Sequence, residues 1–228
     1  MSQDDHTLLA ACQALLSELG RERALGGGVQ PRRARQLARE VWPQPEPAER
    51  AVEALCDPYL PLAMLWLTLG LGLRGNPHHP RPRQEQGRRL ASDLLAHLGL
   101  HLRIRADMPA LVDWPARGLP HGELTGDGGW CDLCGRCCCH AGTVPTPPPG
   151  VDYPAYWYHA LSGATLLPQP FCPFLFQSLG LPLFFCGLHP IKPQACRDFD
   201  RELCRRGRPR RGFGLADRGP LAGRNDDN

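Results

Sequence analysis

The chain lacks a hydrophobic run long enough to cross a membrane. Its longest uncharged stretch, Pro58 to Leu73, is shorter than the roughly 20 apolar residues that a spanning helix needs. The first residues are acidic where a secretory signal would carry lysine or arginine. We therefore expect a cytoplasmic protein without a membrane partner.

Lysine is almost absent as well, since Lys192 is the only lysine among 26 basic residues. The net charge of +3 is small for 228 residues and by itself favours no nucleic-acid partner. The sequence shows no glycine loop of the nucleotide-binding kind and no Ser–His–Asp set. These absences favour a protein that is not an enzyme, and they leave no catalytic residue to name.

Residues 1–117 have the pattern of a helical region, in which apolar side chains recur at helical spacing. The predicted helices are His6 to Leu19, Pro31 to Trp42, Glu46 to Asp57, Leu60 to Leu71 and about Gln84 to Leu102. We expect the first helix to end at Gly20 and the second to be stopped by Pro43. Cys12 and Cys56 lie in apolar stripes, so we expect both to be thiols of the helical core.

The composition changes over residues 118–204, where glycine, proline and cysteine replace the helical pattern. The segment "TVPTPPPG", Thr143 to Gly150, predicts a stiff extended chain. We expect this region to bury no large apolar core and to depend on bound metal for its fold. The predicted fold class is therefore mainly α, with a helical N-terminal region and a small irregular cysteine-rich metal-binding domain.

Five of the eleven cysteines are crowded into "GDGGWCDLCGRCCCHAG", Gly126 to Gly142. The Cys131-x-x-Cys134 spacing lets two thiolates point at one ion, and Gly135 can adopt the positive φ of a metal knuckle. In a reducing compartment such thiols bind metal more often than they form disulfides. The candidate metal ligands from both halves of this region are Cys131, Cys134, Cys137, Cys138, Cys172, Cys186, Cys196 and Cys204.

At these residues the chain resembles the YkgJ-type cysteine-cluster family of zinc- or iron-chelating domains. The shared pattern is C-x-x-C-G-x-C-C from Cys131, then C-P-F-L from Cys172, then C-x-x-[YH]-x-x-[RK]-P-x-x-C-R-x-F from Cys186. The pattern covers about Trp130 to Cys204, roughly a third of the chain. The resemblance implies metal chelation and leaves the cellular role undefined.

The identity of the metal stays open at this point. Zinc is typical of cysteine knuckles, whereas C-x-x-C-x-x-C with a remote fourth cysteine also suits iron or an iron–sulfur cluster. The second possibility would make the cluster a redox or accessory module of an enzyme. His189 and Lys192 stand where the family usually has tyrosine and arginine, and Lys192 keeps the positive charge that offsets anionic thiolates.

Residues 205–228 begin as a basic tail, which we expect to be disordered. The stretch "RRGRPRR" contains Arg-Gly-Arg-Pro, which resembles the core of an AT-hook, a short arm that enters the minor groove of A·T-rich DNA. Arg206 and Arg208 are therefore candidate nucleic-acid contacts. The competing interpretation is a solvated basic tail, because nucleic-acid binding usually brings a larger basic surface.

Overall fold

The structure is a computed structural model, and it describes residues 3–25, 29–62, 65–66, 70, 83–110, 145–166, 171–177, 184–198 and 202. Most of these residues are helical, which confirms the mainly α class. The helices are α1 (Gln3–Leu25), α2 (Pro31–Val41), α3 (Pro45–Leu55), α4 (Arg83–Asp107), α5 (Ala155–Ser162) and α6 (Gln194–Arg197). Two 3-10 turns, Met108–Ala110 and His189–Ile191, and the strands β1 (Leu175–Gln177) and β2 (Phe184–Cys186) complete the described elements.

Proline opens two of the helices. Pro31 is the first residue of α2 and Pro45 the first of α3, positions where the missing N–H costs no hydrogen bond and the fixed φ favours a helix. The prediction that the first helix ends at Gly20 is wrong, because α1 continues to Leu25. At Gly20 a Cβ atom would lie 2.7 Å from Nε1 of Trp66, so glycine permits the close approach of that indole.

The first four helices pack around one apolar core. Leu15 and Leu19 of α1, Leu37 of α2 and Leu98 of α4 are completely buried in it. Cys12 is buried there and Cys56 packs against it, which confirms both as core thiols. Of the predicted helix from Leu60 to Leu71, residues 62, 65, 66 and 70 are helical, and several of its other positions lie outside the described residues.

A second core, in which five of the thirteen buried side chains are aromatic, lies in the C-terminal half. Its aromatic members are Tyr153, Trp157, Phe174, Phe176 and Phe185. The expectation that this half buries no large apolar core is therefore wrong for residues 145–198. The expectation overlooks a short helical repeat, Tyr153, Trp157, Ala160 and Leu161, which stands among prolines and glycines. Each aromatic residue also buries a large area when it packs.

The helix α4 belongs to both cores. Leu94 and Leu98 pack in the first, and Leu100 and Ile104, farther along the same helix, pack in the second. The backbone N–H of Gln177 in β1 also donates a hydrogen bond to the carbonyl of Tyr59, at 3.1 Å. The described parts of the two halves are thus joined by shared packing and by backbone hydrogen bonding. No helix among the described residues is both long and apolar enough to cross a membrane.

Candidate metal centre

Three of the eight predicted ligands, Cys172, Cys186 and Cys196, are described by the structure. Cys172 is buried, and the other two are half-buried. The remaining predicted ligands lie outside the described residues, and these are Cys131, Cys134, Cys137, Cys138 and Cys204. The structure therefore describes predicted ligands of the second cysteine group only.

A short antiparallel hairpin brings the backbones of Cys172 and Cys186 to the same end of β1 and β2. Leu175 is paired with Cys186 in the register of the two strands. The carbonyl of Cys172 accepts a hydrogen bond from the N–H of Leu175 at 3.0 Å, which closes a tight turn just before β1. Since turn ends lie within about 7 Å and paired strand residues within about 5.5 Å, the two cysteine backbones are no more than about 12 Å apart.

Tyr153 holds the loop between Cys186 and Cys196. Its hydroxyl donates a hydrogen bond to the carbonyl of Ile191, in the loop between these two cysteines. Burial raises the pKa of Tyr153, and the thiols of Cys186 and Cys196 raise it further. Tyr153 and Cys172 are buried in the second core, and Cys186 and Ile191 pack against it, so the loop that leads from β2 to α6 is held beside this core.

The chain that leaves the first cysteine group is fixed beside Cys196. The N–H of Gln194, the first residue of α6, donates a hydrogen bond to the carbonyl of Thr146 at 2.9 Å. The eight-residue step from Cys138 to Thr146 spans at most about 29 Å when fully extended. This tether limits how far Cys138 can lie from Gln194, and it makes convergence of the two cysteine groups geometrically possible.

A positive charge accompanies the thiols. Arg197 follows Cys196 directly in the chain, and its guanidinium lowers the pKa of Tyr153. Its Nη1 donates to the carbonyl of Lys192 at 3.0 Å, which holds α6 against the preceding loop. A nearby cation favours the thiolate form, which is the form that binds metal. The donor chemistry of this region therefore fits a thiophilic ion.

Within the part of the chain that the structure describes, no three His, Cys, Asp or Glu side chains come close enough to hold a metal ion. Sulfur ligands from the undescribed segments would thus have to complete any site at Cys186 and Cys196. Arg206 and Arg208, the candidate nucleic-acid contacts, also lie outside the described residues.

Sequence reasoning missed three polar residues with a place in this architecture. Tyr153 is separated from Cys196 by more than forty residues, and no local pattern marks it as a neighbour. His97 and His101 do carry a signal, since "HLGLH" places two imidazoles four residues apart on one face of a helix. The apolar periodicity of the same segment concealed this pair.

Comparison with known proteins gives no match for this chain, whether with family models, curated proteins or solved structures.

Proposed function

We propose that the protein binds zinc or iron through a cysteine cluster drawn from two segments of the chain. The first segment would supply Cys131, Cys134, Cys137 and Cys138, and the second Cys172, Cys186, Cys196 and Cys204. The observation that carries the proposal is that Cys172 is buried in the second core and Cys186 packs against it, while the hydroxyl of Tyr153 in the same core holds the loop before Cys196. The hydrogen bond between Thr146 and Gln194 supports it, because it limits the distance between the first segment and Cys196.

The two metals would give this centre different chemistry. Four thiolates around Zn²⁺ form a closed structural site, which contributes to folding and carries no redox activity. An iron–sulfur cluster held by the same sulfurs would transfer electrons, as in a redox or accessory module of an enzyme. Both need reduced thiols, which agrees with the expected cytoplasmic location. The resemblance to the YkgJ-type family favours chelation and is silent on the cellular role.

Metal analysis of the protein purified without a histidine tag and without oxygen tests the proposal. We expect stoichiometric zinc in a colourless protein, or iron in a brown protein with broad absorption near about 400 nm. The variants Cys186→Ser and Cys196→Ser should lose bound metal. Cys56→Ser is the matched control, since Cys56 is equally half-buried but packs against the helical core. Absence of metal from the wild type, or equal metal in all variants, would contradict the proposal.

A further inference from the structure

A small cavity lies between α4 and the chain segments at residues 60–65 and 166–173. The volume open to the centre of a water molecule is about 20 Å³. The cavity therefore has room for an ion with little more than one water. Apolar side chains form most of the wall, including Leu60, Leu65, Leu100, Leu166 and Phe171. The other contributors are two imidazoles, those of His97 and His101.

The tautomer and the burial of His97 suit a nitrogen ligand of a metal ion. Its Nδ1 lies 2.8 Å from the carbonyl oxygen of Asp93, which can only accept, so Nδ1 carries the ring proton. The other nitrogen, Nε2, therefore keeps its lone pair, and it is buried with no hydrogen-bond partner among the described residues. The side chain is only 8% exposed, and burial lowers its pKa, which keeps the ring neutral. Metal-binding histidines are commonly fixed by such a bond from the second nitrogen to a carbonyl.

His101 lies one helical turn farther along the same face and is 5% exposed. Within the described part of the chain its Nε2 is also buried without a hydrogen bond of normal length, and its nearest acidic group is Oδ1 of Asp57, at 3.5 Å. That contact is too long to satisfy the ring, so a metal ion would displace little by taking its place. The ionised carboxylate of Asp57 would in turn offset part of the charge of a bound cation.

We propose that His97 and His101 form a second metal-binding pair, which takes a divalent transition-metal ion of the kind that imidazole prefers. Histidines four residues apart on one helix face can share one ion through Nε2. Imidazole suits Zn²⁺, Ni²⁺ and Cu²⁺, whereas thiolates favour softer ions, so the two sites differ in preference. No third side chain of the described residues completes this site, so water would fill the remaining positions, as in open metal sites.

Titration with Ni²⁺ tests this pair independently of the cysteines. The protein is first saturated with Cd²⁺, a soft ion that prefers thiolate to imidazole, to fill its thiolate sites and is desalted; Ni²⁺ is then added and retained Ni²⁺ is counted. We expect His97→Phe to retain one Ni²⁺ fewer than the wild type. His101→Phe should lose the same ion, and the double variant should lose no more than either single variant. His159→Phe, at an exposed helical position, is the control and should leave this ion bound.

Two outcomes overturn the proposal. One is equal Ni²⁺ retention by His97→Phe and the wild type, and the other is losses that add in the double variant, since a shared ion can be lost only once. Phenylalanine is chosen because both rings already contact aromatic neighbours, His97 beside Phe171 and His101 edge-on to Phe176.

If a variant fails to fold, the wild type still gives a decisive readout. With ¹⁵N-labelled histidine, the first equivalent of Ni²⁺ should broaden two buried imidazoles together before it affects exposed rings. Broadening of exposed rings alone would overturn the proposal. Because the cysteines are already occupied, failure of this pair would leave the proposed thiolate function intact, and the reverse also holds.

Discussion

Tyr153 holds the loop that separates two of the predicted ligands. Its hydroxyl bond to the carbonyl of Ile191 fixes the chain midway between Cys186 and Cys196. Its ring packs against Trp157, with centroids 5.6 Å apart, so the hydroxyl is held by the aromatic core. A side chain placed in this way sets the separation of the two predicted ligands, Cys186 and Cys196, without binding metal itself.

The variant Tyr153→Phe should therefore weaken metal binding by about 10- to 100-fold, as loss of a supporting contact typically does. Competition with a chromogenic chelator measures the affinity. Tyr156→Phe is the control, because it removes a similar hydroxyl, which donates from α5 to Asp107 of α4 at 2.7 Å. Each change costs about 1 kcal/mol of stability. Equal metal affinity in the two variants would show that the Tyr153 bond is merely structural.

Asp57 accepts hydrogen bonds through both of its carboxylate oxygens. Its Oδ1 accepts the N–H of Tyr59 at 2.7 Å, and its Oδ2 accepts Nε of Arg105 at 3.1 Å. Burial raises the pKa of Asp57, but the imidazole of His101, followed by the N–H of Tyr59 and the guanidinium of Arg105, outweighs burial and lowers the pKa from 3.8 to about 2. The carboxylate thus stabilises the fold in its ionised form.

This lowered pKa predicts a stability difference that depends on pH. The contribution of Asp57 should be fully present above about pH 4 and should disappear as the pH falls toward about 2. Chemical unfolding of the wild type and of Asp57→Asn, with chelator present, measures the difference between pH 5 and 2. The wild type should be more stable at the upper end and lose that advantage at the lower end. A difference that stays constant over this range would refute the assignment.

At the scale of elements, local sequence predicted helices more reliably than their ends. Pro31 marks the start of α2, because the reason for its position is local. The end of α1 was predicted wrongly because the role of Gly20 depends on Trp66, which is distant in sequence. The hairpin of β1 and β2 was not predicted, since three-residue strands carry too little alternation to be recognised.

The turn that follows β2 depends on a glycine. A Cβ atom at Gly187 would lie 2.3 Å from Cε2 of Phe176 and 2.9 Å from the terminal methyl of Met108, both in the second core. Gly187→Ala should therefore destabilise the protein by about 1–3 kcal/mol, as overpacking does. Thermal unfolding measures the change.

Gly99→Ala in α4 is the matched substitution. There the added Cβ would meet only the flexible end of the Arg50 side chain, at 3.1 Å. Alanine is the better helix former by up to about 1 kcal/mol, so this variant should be as stable as the wild type or more stable. If the two glycine variants unfolded at the same temperature, the packing around Gly187 described above would be wrong.

At the scale of the whole molecule, the aromatic core changes the contribution to folding that we expect from bound metal. Trp157 is completely buried and packs edge-on against Phe174, with ring centroids 4.8 Å apart. Ile104, near the C-terminal end of α4, and Met108, in the 3-10 turn that follows, belong to the same core. We expect this apolar packing to stabilise α5 and the hairpin without metal, so that bound metal would order the predicted ligands and not the whole C-terminal half.

We therefore expect chelation to leave α5 folded. Hydrogen exchange followed by mass spectrometry should show the same protection for residues 155–162 with and without a strong chelator. Cys196→Ser should likewise preserve that protection while losing metal. Full deprotection of these residues on chelation would mean that the metal, and not the aromatic core, holds this half together.

The sequence predicted which residues could bind metal, but the arrangement of those residues depends on long-range contacts. Spacing predicts the pair Cys131 and Cys134 because only two residues separate them in the sequence. The loop between Cys186 and Cys196 is held by Tyr153, which lies 33 residues before Cys186, and nothing in the cysteine motif marks that tyrosine. The second core was missed because its helical repeat, from Tyr153 to Leu161, is short and its phenylalanines follow in other segments.

X-ray absorption at the zinc or iron edge tests the central claim most directly. The protein should be purified without a tag and without oxygen, and its metal edge recorded before any ion is added. The account predicts a shell of sulfur neighbours, at about 2.3 Å if the metal is zinc. It also predicts that this shell is lost in Cys186→Ser and in Cys134→Ser, which lie in different segments. A shell of nitrogen and oxygen alone, or a sulfur shell unchanged in both variants, would contradict it.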